Sequence, residues 1–252
     1  MVHLSVNVNK VATLRNARGG SIPSVLEAVR VAVRAGSPGI TVHPRADERH
    51  ITARDVTEIA AWLDPHRGKI EFNIEGDPRP DLIAMVLATR PDQCTLVPVM
   101  PGEITSQAGW PIDRPWPGLE DAVGRLRAHG TRVSLFIEPR LEAVEWAQRL
   151  GADRVELYTE PYARAYEQGG QRREESLALY TRAAAHAHSC GLGVNAGHDL
   201  DLNNLPSFAA IPHLAEVSIG HALVSHALFV GLERAVTDYL EAIRSSGAAS
   251  GH

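Results

Sequence analysis

The chain has 252 residues, 44% of them hydrophobic and 22% charged, with a formal net charge of −5 at neutral pH. That length buries a substantial core and fits one large α/β domain. No apolar run is long enough to be a membrane span, and an acidic balance without any basic block excludes nucleic acid as the main partner. Cys94 and Cys190 lie far apart and form no CxxC pair, which excludes a disulfide framework. The N-terminus shows no signal-peptide pattern, so the expected compartment is the cytoplasm.

Short apolar runs alternate with longer amphipathic segments. Leu4–Val8 reads as the first strand, followed by a helix around Ile22–Ala35. Ile40–His43 is the second, with a helix at Ala53–Leu63 started by Thr52. Ile70–Ile74 is the third, with a helix near Asp81–Thr89. Cys94–Val97 is the fourth, then a helix at Leu119–His129. Arg132–Ile137 and Arg154–Tyr158 follow, with helices at Leu141–Leu150 and Glu174–Cys190. Gly193–Ala196 and Val217–Ile219 complete the strands, with a short helix near Leu205–Ala210 between them. A closing helix reaches about Arg244, its apolar stripe carried by Leu228, Leu232, Val236, Leu240 and Ile243.

Eight strand–helix units over residues 1–252 predict a TIM (β/α)8 barrel, one catalytic domain with extra helical elements in the βα loops. The alternative is an open doubly wound sheet, which usually has a glycine-rich first turn. Here that turn is Asn7-Val8-Asn9-Lys10, without GxGxxG. Residues 245–252 are small and polar and read as a disordered tail. The connections 98–117 and 159–173 are longer than a barrel requires; they are lids and binding segments, or else packing elaborations and subunit contacts.

Chemistry on such a barrel sits at the C-terminal ends of the strands. The second strand ends abruptly in His43-Pro44-Arg45, with His50 close behind. Imidazole exchanges protons near neutral pH, and guanidinium binds phosphate bidentately, so this stretch reads as the mouth of a site for a phosphorylated substrate. Other strand ends bring Asn7, Asn9 and Lys10, then Glu138, Glu156, Asn195 with His198, and Gly220-His221. The third strand carries Glu71. A carboxylate in an apolar strand needs partners or a raised pKa, and a raised pKa suits a general acid or base. Each residue also has a plainer reading, a hydrogen-bonded structural histidine or a carboxylate paired with arginine. Gly197-His198-Asp199 and Gly220-His221 are candidate phosphate turns, and Arg18 is a further cation after the first strand.

The segments Val6–Gly19, Gly39–His50, Glu71, Val194–His198 and Ile219–His221 resemble the pyridoxine 5′-phosphate synthase family. The resemblance implies a (β/α)8 barrel and a condensation without metal or cofactor. The substrates would be 3-amino-2-oxopropyl phosphate and 1-deoxy-D-xylulose 5-phosphate, and the assembly a homo-octamer. It assigns His43 and Glu71 as proton acceptors and His198 as proton donor. Asn7, Arg18, Asp199, Gly220 and His221 would hold the aminoketone phosphate. Asn9, Lys10, Arg45, His50 and Thr105 would hold the pentulose phosphate, with Glu156 as a further carboxylate. Many relatives carry Asp-His in place of Asn9-Lys10, and glycine in place of Asp199 and of Glu160. Three rival classes remain: a metal-dependent aldolase or isomerase using the histidines and Glu71, a Schiff-base aldolase using Lys10, and a non-enzymatic barrel that binds phosphorylated metabolites.

Overall fold

The computed structural model describes residues 2–99 and 108–248. Eight parallel strands close into a barrel in chain order: β1 (His3–Asn7), β2 (Gly39–Val42), β3 (Glu71–Gly76), β4 (Gln93–Leu96), β5 (Arg132–Ile137), β6 (Arg154–Tyr158), β7 (Gly193–Gly197) and β8 (Leu214–Ile219). The ring closes where β8 pairs with β1, Val217 opposite Leu4. Outside it lie α1 (Asn9–Asn16), α2 (Val25–Arg34), α3 (Ala53–Leu63), α4 (Pro80–Thr89), α5 (Leu119–Ala128), α6 (Leu141–Arg149), α7 (Glu160–Gln168), α8 (Gly170–Ser189), α9 (Leu205–Ala209), α10 (His221–Val230) and α11 (Leu232–Ala248).

All eight expected strands are present, and the differences lie between them. Asn9–Asn16 is helical because Val11 and Ala12 pack into the core. The connection 159–173 is α7 and the first turn of α8 rather than a loop. The closing helix is two helices, broken at Gly231, whose φ of 86° is a left-handed conformation that glycine adopts without strain. Residues 245–248 continue α11 instead of forming a disordered tail, and Ser246 is buried. The strand β3 runs to Gly76, past its expected end at Ile74.

Period-two alternation sorts the strand residues into two faces. Leu4, Val6, Ile40, Val42, Ile74, Leu96, Leu135 and Leu157 are fully buried against the helices. The opposite parity points into the barrel and, Phe136 apart, is mostly polar, where such barrels commonly carry Val, Ile and Leu. Ser5 and Thr41 share a hydrogen bond of 2.7 Å, Asn73 donates to Thr41 at 3.3 Å, and Thr95 donates to Asn73 at 3.1 Å. Lower down, Arg154 donates to Asn195 at 2.8 Å, and Asn195 to Glu216 at 3.3 Å. Mutual bonding makes this interior affordable, since a buried polar group without a partner is costly. Among the described residues three buried side-chain atoms lack one: His43 Nε2, Ser134 Oγ and Glu156 Oε2.

Candidate active site

A cavity of about 710 Å³ opens at the C-terminal ends of the strands. Asn7, Asn9, Lys10, His43, Arg45 and His50 line it from β1, β2 and the segments that follow them. Glu75, Glu156, His198, Asp199, Gly220 and His221 line it from the other strand ends.

Glu71 is not there. It opens β3 at the opposite end of the barrel, where its carboxylate is paired with the Arg132 guanidinium. Residues 71, 73 and 75 share the inward face, and each pair of residues advances about 7 Å along a strand. The carboxylate that reaches the cavity is therefore Glu75. Arg18 is exposed on the turn after α1 and does not line the cavity. Thr105 lies outside the described residues. Glu138 is engaged structurally, accepting the Gly109 amide at 3.1 Å.

Glu75 and His43 form the centre. Glu75 Oε2 stands 3.9 Å from His43 Nδ1 and accepts the Asn7 amide at 3.5 Å. Burial, then the neighbouring charge of Glu216, pushes the Glu75 carboxyl up to about 8. Burial lowers His43 well below the usual imidazole value, helped by His50, Arg45 and Arg79 nearby. Glu75 therefore holds a proton at pH 7 and His43 is neutral. Asn9 fixes this geometry, accepting the His43 amide at 2.9 Å through its side-chain oxygen.

His50 is set by the local fold. Arg15 and Asn16 donate to its carbonyl at 3.1 and 2.8 Å. Its Nδ1 accepts the Ile51 amide at 2.9 Å, which leaves the proton on Nε2. Burial and the cations Arg45 and Lys10 bring its pKa down to about 4. It is a neutral donor beside two permanent cations, suited to a phosphate.

His198 follows β7 in an unusual backbone conformation, φ 85°, with Asp199 at φ 56°. The turn is held from outside: Thr159 donates to the Gly197 carbonyl at 2.6 Å and also to that of His198, and Asn204 donates to the Asp199 carbonyl at 3.0 Å. Strain of this kind persists only where neighbours over-determine it. The His198 ring lies 5.1 Å from that of Phe136 and 5.4 Å from that of Tyr158, between centroids. Burial lowers its pKa, and the Asp199 carboxylate opposes that effect.

Two glycines of the floor stand close against side chains of the site. A Cβ on Gly197 would collide with Glu156 Oε1, and one on Gly220 would press Asn7 at 3.1 Å. Gly220 also precedes α10, and Gly220, His221 and Ala222 line the cavity, so the N-terminus of that helix is available to an anion there. Glu156 is buried with one unpartnered oxygen, and burial, then Glu75, raises its pKa well above the usual value.

The chain matches the family described as "Pyridoxal phosphate biosynthesis protein PdxJ" over residues 4–245. It belongs to that family. It is 48% identical to a Leptospira biflexa protein named pyridoxine 5′-phosphate synthase, over 96% of this chain and 97% of that one. It is 49% identical to the Porphyromonas gingivalis protein of the same name, over 95% and 98% of the two chains. Solved structures similar in fold include phosphoribosyl anthranilate isomerase from Thermotoga maritima, TM-score 0.63 at 12% identity, covering 97% of this chain and 99% of that one. A structure described as native KDPGal gives a TM-score of 0.62 at 11% identity, covering 97% and 96%. At such identities the likeness is one of fold.

Within this PdxJ-family site, sequence reasoning missed Glu75, Phe136, Arg164 and Ser218, all of which line the cavity. Glu75 had a readable signal: it is the carboxylate next to the strand-breaking Gly76-Asp77-Pro78, and the end of a parallel strand is the functional end. Arg164 had none, because α7 was read as irregular.

Proposed function

We propose that this protein is a pyridoxine 5′-phosphate synthase, condensing 3-amino-2-oxopropyl phosphate with 1-deoxy-D-xylulose 5-phosphate to pyridoxine 5′-phosphate, phosphate and water. Family membership supports the activity. The observation that carries the chemistry is the Glu75–His43 pair, 3.9 Å apart, buried beneath cationic phosphate-binding groups.

The substrate amine attacks the ketone of its partner, and loss of water leaves an imine joining the two. Glu75 enters protonated and gives its proton to the hydroxyl that leaves as water; the carboxylate so formed, favoured by the cationic imine, then takes a carbon-bound proton during enolisation. His43 is neutral and has Nε2 unpartnered, so it can accept the proton released at the attack. His198 also rests neutral. It takes up a proton freed earlier, with Asp199 stabilising the charged ring, and returns it to the departing water or phosphate. Lys10, Arg45 and His50 hold the pentulose phosphate; the turns Gly197–Asp199 and Gly220–His221 hold that of the aminoketone. Most of the acceleration comes from fixing two substrates in one cavity.

The reading is metal-independent. The assembly is a homo-octamer; the exposed Ile22, Leu228 and Phe229 support contact with further copies of the chain. The direct test mixes purified protein with both substrates and follows pyridoxine 5′-phosphate by absorbance and mass. Folded protein that leaves both substrates intact defeats the proposal.

A further inference from the structure

Lys10, Arg45 and Arg164 are the permanent cations among the cavity-lining residues. Lys10 and Arg45 follow β1 and β2, and both act on His50. Arg164 stands in α7, directly after β6, and β6 lies across the eight-stranded ring from β2. That wall is otherwise acidic. Glu160 lines it from the first turn of α7 and Asp199 from the turn after β7. The charges of Glu160, Asp199, Glu138 and Arg164 all reach the Tyr158 hydroxyl, which ties them to one neighbourhood.

An anion at the turn Gly197–Asp199 therefore sits beside the Asp199 carboxylate, in the cavity that Glu160 also lines. A phosphate there needs a cation, and Arg18, expected in that role, lies outside the cavity. Arg164 pairs with Glu160, which accepts from Nε at 3.0 Å and from Nη2 on the same oxygen, with Glu167 a further carboxylate nearby. The Arg164 side chain is 68% exposed, so this ion pair is a weak constraint. A phosphate offers the guanidinium a better, bidentate partner.

We propose that Arg164 is a specificity residue for the aminoketone substrate: its guanidinium exchanges Glu160 for that substrate's phosphate at the α7 rim. This rests on the synthase reading given above. Glu160 is then the resting partner and competitor of the phosphate, and the pentulose phosphate stays with Lys10, Arg45 and His50. The charge on the α7 wall is what separates two phosphorylated substrates sharing one cavity.

The test varies each substrate against wild type, R164A, R164K and E160Q. For R164A the KM for 3-amino-2-oxopropyl phosphate should rise about tenfold, with kcat and the KM for 1-deoxy-D-xylulose 5-phosphate within about twofold. R164K should recover part of the loss, and E160Q should hold or lower the aminoketone KM. Calorimetric titration with 3-amino-2-oxopropyl phosphate alone should show the same tenfold weakening in R164A. An unchanged aminoketone affinity in R164A, or an equal rise in both KM values, overturns the proposal. If wild type binds the aminoketone but forms no product, the synthase reading fails while the titration still decides the role of Arg164.

Discussion

Glu75 carries its proton at pH 7 because burial and the nearby Glu216 both oppose its charge. This assigns separate roles to two carboxylates of one strand. Glu75→Gln removes the acid–base group and should lower kcat by 10²-fold or more. Glu71→Gln should leave turnover within about threefold, because its carboxylate lies at the far end, paired with Arg132 and beside Glu216, and does not line the cavity. Steady-state rates of the two folded variants decide this; a reversed order returns Glu71 to the mechanism. The same raised pKa has a stability consequence. Below the ordinary value of 4.5 Glu75 is neutral in both folded and unfolded chains. Between there and about 8 the unfolded chain ionises while the folded one does not, and each pH unit costs about 1.4 kcal/mol. Glu75→Gln should therefore stabilise the fold by roughly 2–4 kcal/mol at pH 8.5 and by little at pH 5. Urea unfolding at both values measures it, and an equal effect at the two would contradict the assignment.

At the scale of elements, α1 and α3 are fastened together through one carboxylate. Asp55 accepts from Arg15 at 2.5 and 2.9 Å and also closes the capping box with Thr52. Arg15 in turn holds the His50 carbonyl. Asp55→Ala should cost about 3 kcal/mol, from an unpaired part-buried arginine and a lost cap. It should also raise the KM for the pentulose phosphate through His50, while Arg54→Ala, which loses only an exposed i,i+4 pair, should do neither. Chemical denaturation and substrate titration of both variants check the contrast.

The whole molecule places its acid–base groups where eight strands converge, and its proposed chemistry needs no metal. Dialysis against a strong chelator should leave turnover unchanged, and added zinc or manganese should not raise it; a loss restored by one metal would revive the metal-dependent class. The proposed assembly depends on apolar surface at the end of α10, where Phe229 is 87% exposed. Phe229→Asp should shift the sedimentation of the protein toward smaller species without unfolding it. Unchanged sedimentation would remove this surface from the contact.

The barrel itself was legible because every strand is a short run with one strictly apolar face, and hydrophobic burial acts on that pattern locally. His43, Arg45, His198 and the turn at Gly220 were legible for a related reason: each stands next to a strand-ending proline or glycine, which marks the catalytic rim, and His50 follows close behind the first of these. Glu71 and Glu75 could not be separated by type, since both lie on the inward face of β3. The break at Gly76-Asp77-Pro78 marks Glu75 as the one at the functional strand end, and the register against β2 and β4, with Asn73 opposite Thr41 and Gln93, fixes it there. The wall formed by Glu160, Arg164 and Asp199 carried no such mark, because its members come from separate elements. Period and punctuation in the sequence determined the fold and the rim. The closing of the ring alone decided which charges face one another, because electrostatics depends on distance in space, which the linear order of residues does not contain.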